Sequence, residues 1–88
     1  MLKCGSVVRS LAGRDKDSLL AVVEIVEDGV LICDGKERPI ERPKKKNLRH
    51  ISETGIELPL ETIERNKSLR KALAGLADRV PPDNNESP

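Results

Sequence analysis

A mainly β fold is predicted for this chain: a small antiparallel barrel carrying a short C-terminal helical extension. Three observations predict it. The chain has 88 residues and a mass of 9.7 kDa, room for a single domain. Short apolar runs alternate with turn signals over roughly the first fifty residues, and two of those signals are Asp-Gly. No Phe, Tyr or Trp occurs, so the core must be built from Val, Leu, Ile and Ala.

Taken in order, Ser6–Ser10 reads as a first strand ending near Ala12-Gly13, and Arg14–Ser18 as a polar connecting loop. Leu19–Val26 (LLAVVEIV) is the strongest β signal, rich in β-branched residues. Asp28-Gly29 supplies the positive φ of a tight hairpin, and Val30–Cys33 returns. Asp34-Gly35 is a second turn, leading into a short strand over Lys36–Glu41 that Pro39 assigns to a sheet edge. After the lysine run, Asn47–Ile51 closes the sheet. Closure removes the exposed edges that invite aggregation. An open three-stranded meander with a helix against it is the rival architecture.

The long strand is apolar on both faces. Leu19, Ala21, Val23 and Ile25 lie on one, and Leu20, Val22 and Val26 on the other, so a further element must cover the second face. The C-terminal third offers one. Asn66 is placed as an N-cap for a helix through Leu69, Ala72, Leu73 and Leu76, spaced i, i+3, i+4, i+7. A shorter turn is expected over Leu60–Arg65, after Pro59. The division is a barrel over 1–51, a helical extension over 52–80 and a polar, proline-bounded disordered tail over 81–88.

Several function classes drop out. No apolar run approaches the ~20 residues of a membrane helix, and Met1–Gly5 lacks the apolar centre of a secretory signal. Cys4 and Cys33 stand apart from any Cys or His cluster, so they are read as reduced, half-buried apolar residues and no metal site is expected. A cytoplasmic location follows. His50 is the only histidine, and no P-loop or GxGxxG spacing occurs. No enzyme, cofactor or small-molecule substrate is expected.

Charge is unevenly distributed behind a net +1. Residues 1–35 balance at −2 and residues 51–88 at −2, whereas residues 36–50 balance at +5: Lys36, Arg38, Arg42, Lys44, Lys45, Lys46 and Arg49 against Glu37 and Glu41. Local charge density attracts a polyanion, because screening removes interactions beyond ~8–10 Å. Arg42, Lys44, Lys45, Lys46, Arg49 and His50 therefore form the candidate RNA-binding strip. The loop displaying Arg14 and Lys16 beside Gly13 forms a second patch, in which Gly13 takes a conformation that a Cβ disfavours. Without aromatic stacking platforms, recognition should rest on phosphates, 2′-hydroxyls and shape.

The segment GSVVRSLAGRDK (5–16), with the apolar strand that follows it, resembles a KOW motif. Its continuation through VLICDGK (30–36) and RPKKKNLRHI (42–51) is similar to small bacterial KOW-domain proteins, which themselves resemble large-subunit ribosomal proteins of the archaeal and eukaryotic type. The likeness covers about residues 4–51. It implies an SH3-like barrel of the translation-protein type and a ribosome-associated, RNA-binding role, with the loop at Gly13, Arg14 and Lys16 approaching RNA or a protein. One departure stands out. A glycine often follows the Arg-Asp-Lys step of the motif, and this chain has Asp17. A protein-interaction adaptor is the alternative function, using the barrel surface and the helix stripe Leu69, Leu73 and Leu76.

Overall fold

A computed structural model describes residues 2–77 and Arg79. Five antiparallel strands form one sheet: β1 (Ser6–Ser10), β2 (Leu19–Val26), β3 (Gly29–Cys33), β4 (Lys44–Asn47) and β5 (Ile51–Glu57), in the order β4-β3-β2-β1-β5. A single 3-10 turn, Leu48–His50, joins β4 to β5; another, Thr62–Glu64, precedes the helix α1 (Asn66–Ala77). The class is mainly β, as expected, and the sheet is open: no ladder pairs β4 with β5. The expected tail, 81–88, lies outside the described residues.

Four sequence expectations need correction. Lys36–Glu41 is not a strand. Asp34 Oδ1 accepts the backbone N–H groups of Lys36 (2.8 Å) and Arg38 (2.9 Å), and Asp34 and Gly35 both donate to the Arg38 carbonyl. The chain closes into a loop there instead of pairing. The lysine run is itself strand β4, and the strand expected over Asn47–Ile51 is a 3-10 turn whose start Asn47 caps by accepting from Arg49 N at 2.9 Å. The sheet then continues past the expected barrel limit at 51 as β5, which pairs with β1. Asn66 does not cap α1. Its carboxamide accepts from Ile40 N at 2.7 Å and donates to Glu41 Oε1 at 2.9 Å, tethering the 39–43 turn to the helix.

Gly29 is required for a reason other than the one its Asp-Gly context suggests. Its φ is not positive. A Cβ there would collide with the Lys46 carbonyl on β4, so glycine permits the close approach of β3 and β4.

The two faces of β2 are buried in two separate cores. Val8, Leu20, Val22, Val30, Ile32 and Ile51, all strand residues, pack together on one face, with Leu2 against them. Val7, Leu19, Ala21 and Cys33 face the other way, where Ile63, Leu69 and Leu73 cover them. Connectivity explains how a single sheet encloses the first set. Asn47 pairs with Gly29 at one end of the β2–β3 hairpin, and Ile51 pairs with Ser10 near the opposite end of β2. In a flat sheet the outer strands would lie ~19 Å apart, four spacings of about 4.8 Å. Four residue steps reach at most ~14 Å fully extended, and a 3-10 turn reaches less. The sheet must therefore curl, with this core inside. Ile25 departs from the expected face: the β2–β3 ladder shifts register between Val22 and Glu24, so Ile25 pairs with Val30, stands on the side away from α1 and is 47% exposed. The cysteines also part company, Cys33 being buried and Cys4 exposed, both as free thiols.

Candidate nucleic-acid interface

On a strand, successive side chains point to opposite faces. This decides the fate of the lysine triplet. Lys44 stands opposite Ile32 and Lys46 opposite Val30, so both face inward, whereas Lys45 stands opposite Leu31 and faces outward. The expectation of one outward cationic strip is corrected accordingly. Lys45 Nζ lies 2.6 Å from Asp28 Oδ1 across the sheet, at an exposed position. Hydrogen bonding to Lys45, with its charge, holds the Asp28 carboxyl below its ordinary value.

Lys46 is 6% exposed and is not available to a polyanion. Its ammonium donates to the Ala12 carbonyl and to Asp15 Oδ1, each at 2.9 Å. Ser10 Oγ donates to the same Asp15 oxygen at 2.8 Å. Burial pushes the Asp15 carboxyl up, but the hydrogen bonds from Lys46 and Ser10 together with the lysine charge outweigh it, and the group titrates below its usual value. Lys46 is thus the internal strut of the 11–18 loop. Gly13 takes φ +88° as expected, a conformation that itself favours glycine, and a Cβ there would stand 3.4 Å from the Lys46 ammonium.

Asp17 adopts φ +73°, alone among the non-glycine residues described. This left-handed region favours glycine, and Asp is among the few other residues that tolerate it. Arg9 Nη1 donates to the Asp17 carbonyl at 2.6 Å, and Asp17 N donates to the Ser10 carbonyl at 2.8 Å. The turn is clamped from both sides.

With this loop fixed, Arg14 meets cations from elsewhere in the chain. An open cleft of about 690 Å³ is lined by Arg14 and Asp15 from the first loop, Lys36 and Arg38 from the second, and Lys44 at the start of β4, with Leu20 at its floor. Asp34 and Glu37 also line it. Asp15 is paired with Lys46 and Asp34 holds its own loop, so two of the three carboxylates already serve internal contacts. None of Arg14, Lys36, Arg38 and Lys44 takes part in an ion pair among the described residues. Four converging cations offer an anion several charge-assisted contacts at once.

The remaining expected residues sit elsewhere. Lys16 is exposed on the first loop but does not line the cleft. Arg42 is exposed in the 39–43 turn. Arg49 and His50 are exposed on the 3-10 turn, at the far end of β4 from Lys44. Lys36 and Arg38 belong to the basic belt by composition, yet reading them as an edge strand hid their role. The Asp34-Gly35 pair, able to close a loop, was the signal for it.

The helix stripe proposed for a protein partner is corrected as well. Leu69 is fully buried and Leu73 nearly so against the outer face of the sheet, and Leu76 packs on the same core. Those leucines cover their own molecule.

No protein-family model matches the chain, and no curated protein matches it. Among the described residues, no helix is long and apolar enough to cross a membrane.

Proposed function

We propose that this protein is a noncatalytic RNA-binding module of the cytoplasm, a KOW-type SH3-like barrel that associates with ribosomal RNA or a ribosomal particle through the cleft between its first two loops. The observation that carries the reading is the convergence of Arg14, Lys36, Arg38 and Lys44 on one open cleft. The strand order and the 3-10 bridge between the outer strands support the barrel type. The resemblance of residues 4–51 to KOW-domain proteins supports RNA over other polyanions. The cleft binds phosphates by charge, while Glu37 at its wall and the lack of aromatic side chains disfavour base stacking.

Binding of a short single-stranded RNA, followed by fluorescence anisotropy across a salt series, tests this. Four phosphate contacts give a slope of log K on log salt near −2.8, at about −0.7 per contact on a single strand. Lys36→Gln with Arg38→Gln should weaken binding and reduce the slope by about 1.4. Lys45→Gln, outside the cleft, should leave both unchanged. Full RNA affinity in a folded Lys36→Glu/Arg38→Glu variant would remove the basis of the proposal. Co-sedimentation with ribosomal particles at low salt, lost in the same variant, extends the test to the partner.

A further inference from the structure

We propose that an apolar groove on the outer side of the sheet docks a basic protein segment, one that presents an aliphatic side chain between Lys or Arg residues. The groove measures about 460 Å³ and is lined by Cys4, Val23, Ile40, Leu60, Ile63 and Glu64. It shares no lining residue with the cationic cleft.

The groove is built by the fold. Ile63 is buried in the core and forms one wall, and Ile40 is fixed by its backbone bond to Asn66 Oδ1 at 2.7 Å. The ladder between β2 and β3 shifts register between Val22 and Glu24, and the Val23 carbonyl accepts from the Cys4 thiol at 3.2 Å. Leu60 is 59% exposed although its backbone is held in a turn, its carbonyl accepting from Ile63 N at 3.1 Å. A leucine held at the rim of a preformed apolar groove matches the anatomy of a small docking site, an apolar centre within a polar border.

Charge identifies the occupant. Glu64 lines the groove, Glu61 follows Leu60, and Glu41 follows Ile40 and is steadied by Asn66 Nδ2 at 2.9 Å. All three carboxylates are exposed. The cations next to these segments in sequence are Lys3, Arg42 and Arg65, of which Lys3 is paired with Glu57 at 3.3 Å, so Glu64 is the charge that lines the groove itself. A partner with cationic flanks gains from this border, while an acidic segment or a nucleic acid is repelled.

Cys4 reports on occupancy. Cys33 is buried, and burial with the neighbouring Asp34 and Glu41 carboxylates pushes its thiol up to about 11, so a thiol reagent at mildly alkaline pH reads Cys4 in the folded protein. The probe is a short synthetic peptide alternating lysine and leucine, added to the full chain. At about tenfold excess over Kd it should slow Cys4 labelling about tenfold, since only the free fraction reacts. Leu60→Ser should abolish that protection, and Glu61→Lys with Glu64→Lys should greatly weaken it; both alter exposed side chains. The Lys36→Gln/Arg38→Gln variant should be protected as the parent is. The proposal is overturned if the peptide gives no protection, or if a peptide with Glu for Lys or Ser for Leu protects equally. It is overturned too if the cleft variant loses protection, or if raising the protein concentration alone protects Cys4, which would make a second copy the occupant.

Discussion

Lys46 shows how far a residue's role depends on where its strand points it. Its neighbours Lys44 and Lys45 reach the cleft and the solvent, whereas its own ammonium supports the 11–18 loop from inside. Lys46→Met removes that support and leaves Asp15, 19% exposed, without its counter-charge. Breaking a fully buried pair costs about 3–5 kcal/mol, so this partly shielded one should cost about 2–3 kcal/mol by urea denaturation. Lys45→Met, which breaks the exposed pair with Asp28, should leave the urea midpoint unmoved. The pH dependence follows from the sign of the Asp15 shift. A carboxyl held lower in the folded state than its ordinary 3.8 contributes stability that is complete above that value and is lost as pH falls through the folded value. Acid titration of stability should therefore be shallower below about pH 4 in Lys46→Met than in the parent protein. An equal acid slope in the two proteins would count against the strut.

Elements differ in how openly their sequences declare them. β1, β2 and β3 follow from apolar runs bounded by turn residues, and the α1 stripe from leucines at helical spacing. β4 was hidden because its four residues, KKKN, are polar; only pairing with β3 makes them a strand. β5 (ISETGIE) was hidden by Gly55, which takes φ +83° near an irregularity in the pairing with β1. Within α1, Gly75 is exposed and a Cβ there would meet nothing within 4 Å. Gly75→Ala should thus raise stability by ~0.5–1 kcal/mol through helix propensity alone. Leu69→Ala, at a fully buried position between helix and sheet, should lower it by about 2–5 kcal/mol. Gly35→Ala should also destabilise, because φ is +81° there and a Cβ would strike the Asn66 carbonyl at the start of α1. Thermal or urea unfolding of the three variants separates these effects.

For the molecule as a whole, two cores lie back to back across one sheet, with β2 contributing to both. Neither half has an independent reason to persist. Loss of α1 would expose Val7, Leu19, Ala21 and Cys33 to water. Unfolding followed by helical circular dichroism and by reactivity of the Cys33 thiol should give one coincident urea transition. Helix loss at a lower urea concentration than sheet loss would show that the extension is a separate unit. The curl also sets up the cleft: it brings loop 11–18, loop 34–38 and the first residue of β4 to one place, although they are distant in sequence.

The chain's own order of residues determined its β class, three of its strands, the helix stripe and the concentration of positive charge between residues 36 and 50, because each is a pattern over neighbours. Which charges remain free for a ligand came from the folded arrangement. Lys46 meets Asp15 across 31 positions and Lys45 meets Asp28 across the sheet, while Arg14 joins Lys36, Arg38 and Lys44 in one cleft. Ion pairing depends on distance in space, and strand register and the curl of the sheet set that distance.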